Sequence, residues 1–372
     1  VFAGNPLLIS LELMRDRGYL NDDDFASVPD FTGTEADYVE ANKVKSVILT
    51  KAFHSLRDEI MKDPEFLKFC ADNSYWLDDY SIYAALKQEP GVNGWRDFPG
   101  DLIEREPGAL DRISHESESV HYQKFVQFIF FGQWAALKKY ANDRGLQIIG
   151  DLPYYVNYDS SDVWADQGMF KLGKDKEPLF AAGVPPDYFS ETGQLWRNPL
   201  YDWDKMAEDD YSWWVRRIGH NMKLFDKLRL DHFRGFVAYW EIPAGETNAV
   251  KGKWVYPESQ QFLSALFQKF DKSRFIAEDL GLITEDVKEI IKRFELPGMK
   301  VLLFAFGEDY PHGDYLPSNI DTNCVIYTGT HDNNTVAGWW NDEASDDEKQ
   351  RVRDYLGREV EDDTISRQFV EP

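Results

Sequence analysis

Cysteine is nearly missing from this chain: 372 residues contain two, Cys70 and Cys324. That excludes a disulfide scaffold and a cysteine-built metal site, and both side chains are expected as buried thiols in a reducing, cytoplasmic compartment. No run approaches the ~18 apolar residues that a membrane-spanning helix needs; the longest, such as Val301 to Phe306, are of strand length. The first residues show neither the basic stretch nor the apolar core of a secretory signal. Basic residues are in deficit, 41 Lys+Arg against 66 Asp+Glu, for a formal charge of −25. Such a surface repels phosphates, so nucleic acid and anionic membranes are set aside as partners. Dinucleotide and Walker A glycine turns, H-E-x-x-H, EF-hand loops and the G-x-S-x-G elbow do not occur. Neither a cofactor nor a metal is expected, because Asp231-His232 and Glu278-Asp279 sit as strand neighbours that point to opposite faces.

Aromatic residues, by contrast, are abundant: 25 Phe, 19 Tyr and 12 Trp make up 15% of the chain. Part of this is core, but an excess of Trp and Tyr also suits a ligand with flat, weakly polar faces. At 43% hydrophobic and 29% charged the chain is an ordinary folding sequence. Its length fits two domains or one large α/β barrel with insertions.

Two textures follow one another. Residues 30–118 are polar and mostly helical: Tyr38 to Ile60 is periodic, and Asp63-Pro64 opens another helix. This stretch is expected to be a helical insertion, with 1–29 a barrel-associated loop leading into it. From Ser119 on, helical stretches alternate with short apolar runs. His121 to Asn142, Trp213 to Phe225, Ser259 to Phe270 and Thr284 to Phe294 read as helices, the last capped by Thr284 with Asp286 in its first turn. Between them lie Leu146 to Asp151, Lys227 to Asp231, Arg274 to Glu278 and Cys324 to Asp332, each ending in a carboxylate. A fifth run, Met299 to Phe306, has no terminal acid.

Apolar strands separated by helices imply a parallel sheet covered on both faces. Acids at the C-terminal ends of several strands point to a (β/α)8 TIM-type barrel, whose active sites occupy that rim. A doubly wound sheet gathers its site at one switch point and brings a glycine-rich turn. Residues 119–372 are therefore expected to be the catalytic barrel portion, with 157–212 a rim insertion. Five strands are legible, and the other three of a closed barrel are expected beyond the two ends of this chain. Within the rim insertion, 185–199 reads as a Pro- and Gly-punctuated loop over the substrate. Its Tyr188, Phe189 and Trp196 either stack on a ligand or pack the loop down.

Asp231, Glu278 and Asp332, on separate strand ends, are the residue types that glycosidic-bond chemistry requires: a nucleophile, a general acid/base and a stabiliser of positive charge in the transition state. Clustering like charges raises at least one pKa and keeps an acid protonated near neutrality. One such acid alone is as easily a helix cap or an ion-pair partner; a set on one rim is not. Arg229, two residues before Asp231, faces the same side of a strand and either orients that carboxylate or pairs at the surface. His232 reads as a hydrogen-bonded structural residue, whereas His331 adjoins the third acid on a loop.

Gly150-Asp-Leu-Pro-Tyr-Tyr-Val, Asp159-Ser-Ser-Asp-Val-Trp-Ala, Gly193-Gln-Leu-Trp-Arg-Asn-Pro, Arg229-Leu-Asp-His-Phe-Arg-Gly-Phe, Ala277-Glu-Asp-Leu-Gly, Pro297-Gly-Met-Lys and Thr330-His-Asp-Asn-Asn-Thr stand in this order. Together with the opening Phe2-Ala-Gly-Asn-Pro, the series resembles the 4-α-glucanotransferases, the amylomaltases or disproportionating enzymes of glycoside hydrolase family 77. The resemblance implies a retaining transglycosylase acting on α-1,4-glucans and malto-oligosaccharides. It implies Asp231 as nucleophile, Glu278 as acid/base and Asp332 as transition-state stabiliser. Arg229 and His331 would hold the sugar and the nucleophile, Asp151 would bind sugar hydroxyls or support the acids, and Trp196 would shape the acceptor side. One departure is Arg197, where the family usually carries Gly, and family members are longer than this chain. A hydrolase of the same clan and a non-catalytic glucan-binding chain are the alternatives.

Overall fold

The structure, a computed structural model, describes all residues except Ser27, Asp30, Thr32, Thr34, Tyr188, Phe189, Leu282, Asp362, Asp363, Glu371 and Pro372. The fold is mixed α/β, and the chain forms two compact units.

The first unit comprises 1–148, 155–226 and 240–254. Its long helices are Tyr38–Ile60, Pro64–Leu86 and Glu118–Asn142. Each starts where the local chemistry dictates: the Asp37 carboxylate accepts from the Glu40 N–H, Asp63 from Glu65 and Phe66, and Ser117 from Val120. Pro64 takes the first turn of its helix, where a missing N–H costs nothing. The apolar stripes of Tyr38–Ile60 and Glu118–Asn142 meet in one core of Ile48, Leu49, Phe53, Phe125, Ile129 and Phe130, together with Ile9 and Met14. Each such side chain contributes ~1.5–3 kcal/mol on burial. Cys70 is half-buried, and burial pushes its thiol up to about 11.

The same unit holds an antiparallel sheet that the sequence did not disclose. Writing the strands as β1 (Ile149–Leu152), β2 (Phe180–Val184), β3 (Gln194–Pro199), β4 (Lys227–Leu230), β5 (Tyr239–Pro243), β6 (Lys253–Val255), β7 (Phe275–Ala277), β8 (Gly298–Val301) and β9 (Cys324–Tyr327), its order is β3-β2-β5-β6. The reading of 185–199 as one loop is therefore corrected. Gly193, at φ 65°, turns the chain back, and Gln194, Leu195 and Pro199 pair with Val184, Gly183 and Ala181. The glycine and proline read as loop punctuation mark the ends of a hairpin strand instead. The register shifts within this pairing, and Arg197 stands in the same strand at φ 66°.

The second unit comprises 149–154, 227–239 and 255–372. β1, β4 and β7 form a parallel sheet in that order, and β8 and β9 form a parallel pair. The Ala277 N–H donates to the Pro297 carbonyl at 2.8 Å, bringing the end of β7 to the start of β8. All five apolar runs thus contain a strand. The run Met299 to Phe306 is shorter than expected: pairing ends at Val301, and Leu302–Phe306 winds into a 3-10 turn. A short apolar run does not declare its own period. Here Leu303, Ala305 and Phe306 turn into a second core with Trp339, Trp340, Val352 and Phe369. Helices Ser259–Lys269 and Glu285–Phe294 fall where the periodicity places them. Thr284 occupies the cap position of the latter, but its hydroxyl donates to Asp286 and makes no cap bond. Among the described residues no helix is long and apolar enough to cross a membrane.

Candidate active site

The acids lie along one end of the parallel strands because of register. Asp151 in β1 stands beside Arg229 in β4, and Arg229 beside Ile276 in β7. The ladder continues one residue past each strand: Asp231 donates its N–H to the Leu152 carbonyl at 3.1 Å, and Glu278 to the Leu230 carbonyl at 3.1 Å. Asp231 and Glu278 therefore leave adjacent strands at the same level.

Arg229 is 8% exposed and faces the side that its spacing from Asp231 demands. Its Nη1 donates to Asp231 Oδ1 at 2.7 Å and to Asp151 Oδ1 at 2.8 Å. Its Nε lies 3.3 Å from Met299 Sδ. Exposed His331 extends the line, with Nε2 3.8 Å from Asp151 Oδ2 and 3.5 Å from Asp332 Oδ1. Asp332 is exposed on a turn where its N–H donates to Thr330 Oγ1 at 3.2 Å. Asp231 and Asp151 share Arg229, and His331 stands between Asp151 and Asp332.

Glu278 is held differently. Oε1 accepts the Leu280 N–H at 2.7 Å and Oε2 the His232 N–H at 2.8 Å. Burial raises its pKa from 4.5 to about 7, with the Asp231 charge pushing the same way; the two N–H donors and Arg229 pull against it. A carboxyl that exchanges a proton near neutrality thus stands beside one held in an ion pair. A buried carboxyl raised in this way is suited to acid/base work.

His232 is more than a structural histidine, because its main-chain N–H is one of the two that hold Glu278. The residue adopts φ 47°, uncommon for a side chain of this size. Burial lowers its ring pKa to about 4, so the imidazole is neutral near pH 7. Tyr154 fixes the turn beside it: its hydroxyl donates to the Gly235 carbonyl at 2.7 Å, and its ring meets the His232 ring edge-on.

Asp151, Arg229, Asp231, Glu278, His331 and Asp332 are thus neighbours in the second unit. Trp196 belongs to the first unit, where its Nε1 donates to Gln194 Oε1 at 3.0 Å and its ring meets Tyr155; it is 36% exposed. Tyr188 and Phe189 lie outside the described residues. The spacing of residues did not disclose Met299, Asp279 or the N–H groups of His232 and Leu280, since main-chain donors leave no residue-type signature. Among the described residues no three His, Cys, Asp or Glu side chains gather as a metal-holding group.

Comparison with known proteins bears on this cluster. The sequence profile described as 4-alpha-glucanotransferase, glycoside hydrolase family 77, matches residues 1–371. The chain belongs to the 4-alpha-glucanotransferase family. A 4-alpha-glucanotransferase of Aquifex aeolicus (strain VF5) is 43% identical over 372 residues, spanning 100% of this chain and 74% of that relative. The 4-alpha-glucanotransferase of Thermus thermophilus is 42% identical over 360 residues, 95% of this chain and 71% of that one. Among solved structures, an amylomaltase from Streptococcus agalactiae in complex with acarbose superposes with TM-score 0.90 at 35% identity, covering 96% of this chain and 72% of that one. An amylomaltase from Corynebacterium glutamicum, at 18% identity and TM-score 0.68, covers 99% of this chain and 50% of that one and shows likeness of fold alone.

Proposed function

We propose that this chain transfers α-1,4-glucan segments between malto-oligosaccharides by a retaining double displacement in which Asp231 is the nucleophile, Glu278 the general acid/base and Asp332 the transition-state stabiliser. Glucan transfer is the activity of the family to which the chain belongs. The observation that carries the assignment of roles is the contrast between Glu278, whose carboxyl is raised to about 7, and Asp231, ion-paired to Arg229 at 2.7 Å.

In the first step Glu278 gives its proton to the glycosidic oxygen as the bond from C1 to that oxygen breaks. Asp231 forms a bond to C1, and the shortened sugar leaves with a new hydroxyl. In the second step the 4-hydroxyl of another glucan attacks C1 and passes its proton to Glu278, and the bond to Asp231 breaks. Each displacement inverts the anomeric carbon, so the product keeps its α configuration. The two carboxyls of a retaining pair stand about 5–5.5 Å apart. Asp332 faces the positive charge that builds on the ring. Arg229 holds Asp231 in its attacking orientation, and His331 and Asp151 hold sugar hydroxyls.

The sequential parallel strands β1, β4 and β7, with the β8-β9 pair, support reading them as part of a (β/α)8 barrel. In that reading 30–118 is the helical insertion, 119–372 the catalytic portion and 157–212 a rim insertion. The unpaired thiols Cys70 and Cys324 suit the reducing cytoplasm.

Incubation with maltotriose tests the reaction. Transfer makes glucose and longer chains at a constant number of reducing ends, whereas a rising number identifies a hydrolase. Asp231→Asn is expected to abolish turnover and spare binding to amylose; an active Asp231→Asn variant refutes the assignment. Amylose binding without turnover by the unaltered chain would make it a glucan-binding protein.

A further inference from the structure

The strand that ends without an acid has its own part in this site. We propose that Met299, held by Asp279, is a positioning residue that fixes Arg229 and through it the Asp231 carboxylate; the proposal rests on the double-displacement reading above. Arg229 presents five N–H donors in a rigid plane. Nη1 is spent on Asp151 and Asp231, at 2.8 and 2.7 Å. Nε faces Met299 Sδ at 3.3 Å. A thioether is a weak, uncharged acceptor. It engages the Nε–H and adds no third negative charge to compete for the guanidinium. A carboxylate in its place would draw Arg229 away from the nucleophile.

Methionine is the most adaptable of the apolar side chains, so a thioether that positions anything must itself be anchored. The anchor is Asp279, the residue after the acid/base. Its Oδ1 accepts the Met299 N–H at 2.8 Å, its Oδ2 lies 3.4 Å from Lys300 Nζ, and its side chain is 15% exposed. Met299 itself is fully buried. β8 approaches this carboxylate closely: a Cβ at Gly298 would stand 2.9 Å from Asp279 Oδ2, so the carboxylate would have to move. The end of β7 thus supplies two adjacent acids. Glu278 presents its carboxyl for proton transfer, and Asp279 sets the sulfur that steadies the cation beside the nucleophile.

The test is steady-state disproportionation of maltotriose. Met299→Leu keeps the volume and removes the acceptor. Its kcat is expected to fall about 10-fold with KM within about 2-fold, less than the ~100-fold that a 1 Å misplacement costs. Met299→Gln returns an acceptor at similar reach and is expected to recover most of the loss. Gly298→Ala, which pushes the Asp279 carboxylate aside, is expected to resemble Met299→Leu, and Met299→Leu combined with Asp279→Ala to be no worse than the weaker single variant. An unchanged kcat in Met299→Leu overturns the proposal, as does an equal loss in Met299→Gln or a multiplicative loss in the double variant. Any of these three results in an active wild-type background leaves the transferase reading intact, whereas a wild type that transfers no glucan removes that reading instead.

Discussion

Glu278→Gln separates the charge of this residue from its shape. Burial moves the carboxyl from 4.5 to about 7. At about 1.4 kcal/mol per pH unit, that gap penalises the ionised folded state by at most about 3.5 kcal/mol. The folded pKa is raised, so the penalty is absent below 4.5, where both states carry the proton, and complete once the pH has risen through about 7. Gln does not titrate and escapes it. Gln also has one oxygen to offer where Glu278 accepts two N–H donors, from Leu280 and His232. The orphaned donor costs about 1–2 kcal/mol at every pH. The variant is therefore expected to be less stable than wild type at pH 5 and to gain on it by about 2–3 kcal/mol at pH 8. Paired urea titrations followed by circular dichroism measure this, with each transition fitted separately because the chain forms two compact units. An identical difference at both pH values would refute the claim that burial holds Glu278 protonated. Wild-type transfer should decline as the pH rises through about 7, because Glu278 then loses the proton it must donate, and the variant should transfer nothing.

Three further outcomes are expected. Arg197→Gly should stabilise the hairpin by about 0.5–1 kcal/mol, because φ 66° suits glycine and strains arginine; thermal unfolding of the two proteins measures it. Lys171→Met should destabilise the first unit by about 2–3 kcal/mol in urea, since buried Glu241 would lose its contact at 2.6 Å and keep the 3.1 Å contact with largely exposed Lys253. His220 donates Nε2–H to the Phe2 carbonyl and accepts from the Tyr75 hydroxyl, and burial lowers its pKa from 6.5 to about 4. Its contribution is complete above 6.5 and lost as the pH falls to about 4, so in His220→Asn the decline of stability between pH 7 and pH 5 should flatten; an unchanged slope would show that His220 does not carry it.

What the linear chain dictated was periodicity and residue type. Helical periodicity located the long helices and short apolar runs located all five parallel strands, although Ile149 in β1 and Ile326 in β9 turn out exposed. The two-residue spacing of Arg229 and Asp231 put their side chains on one face, because the strand period is two. Tertiary structure decided everything that depends on burial or on main-chain direction. The return of 194–199 as a strand needed a partner in Phe180–Val184, which no local pattern announces. The 3-10 turn after Val301 answers a core assembled from Trp339, Val352 and Phe369, distant in sequence. The protonation of Glu278 comes from desolvation, and its orientation from two peptide N–H groups that every residue but proline possesses. Residue identity specifies which atoms can react; the packing of β1, β4, β7 and β8 specifies the dielectric and the distances at which they meet.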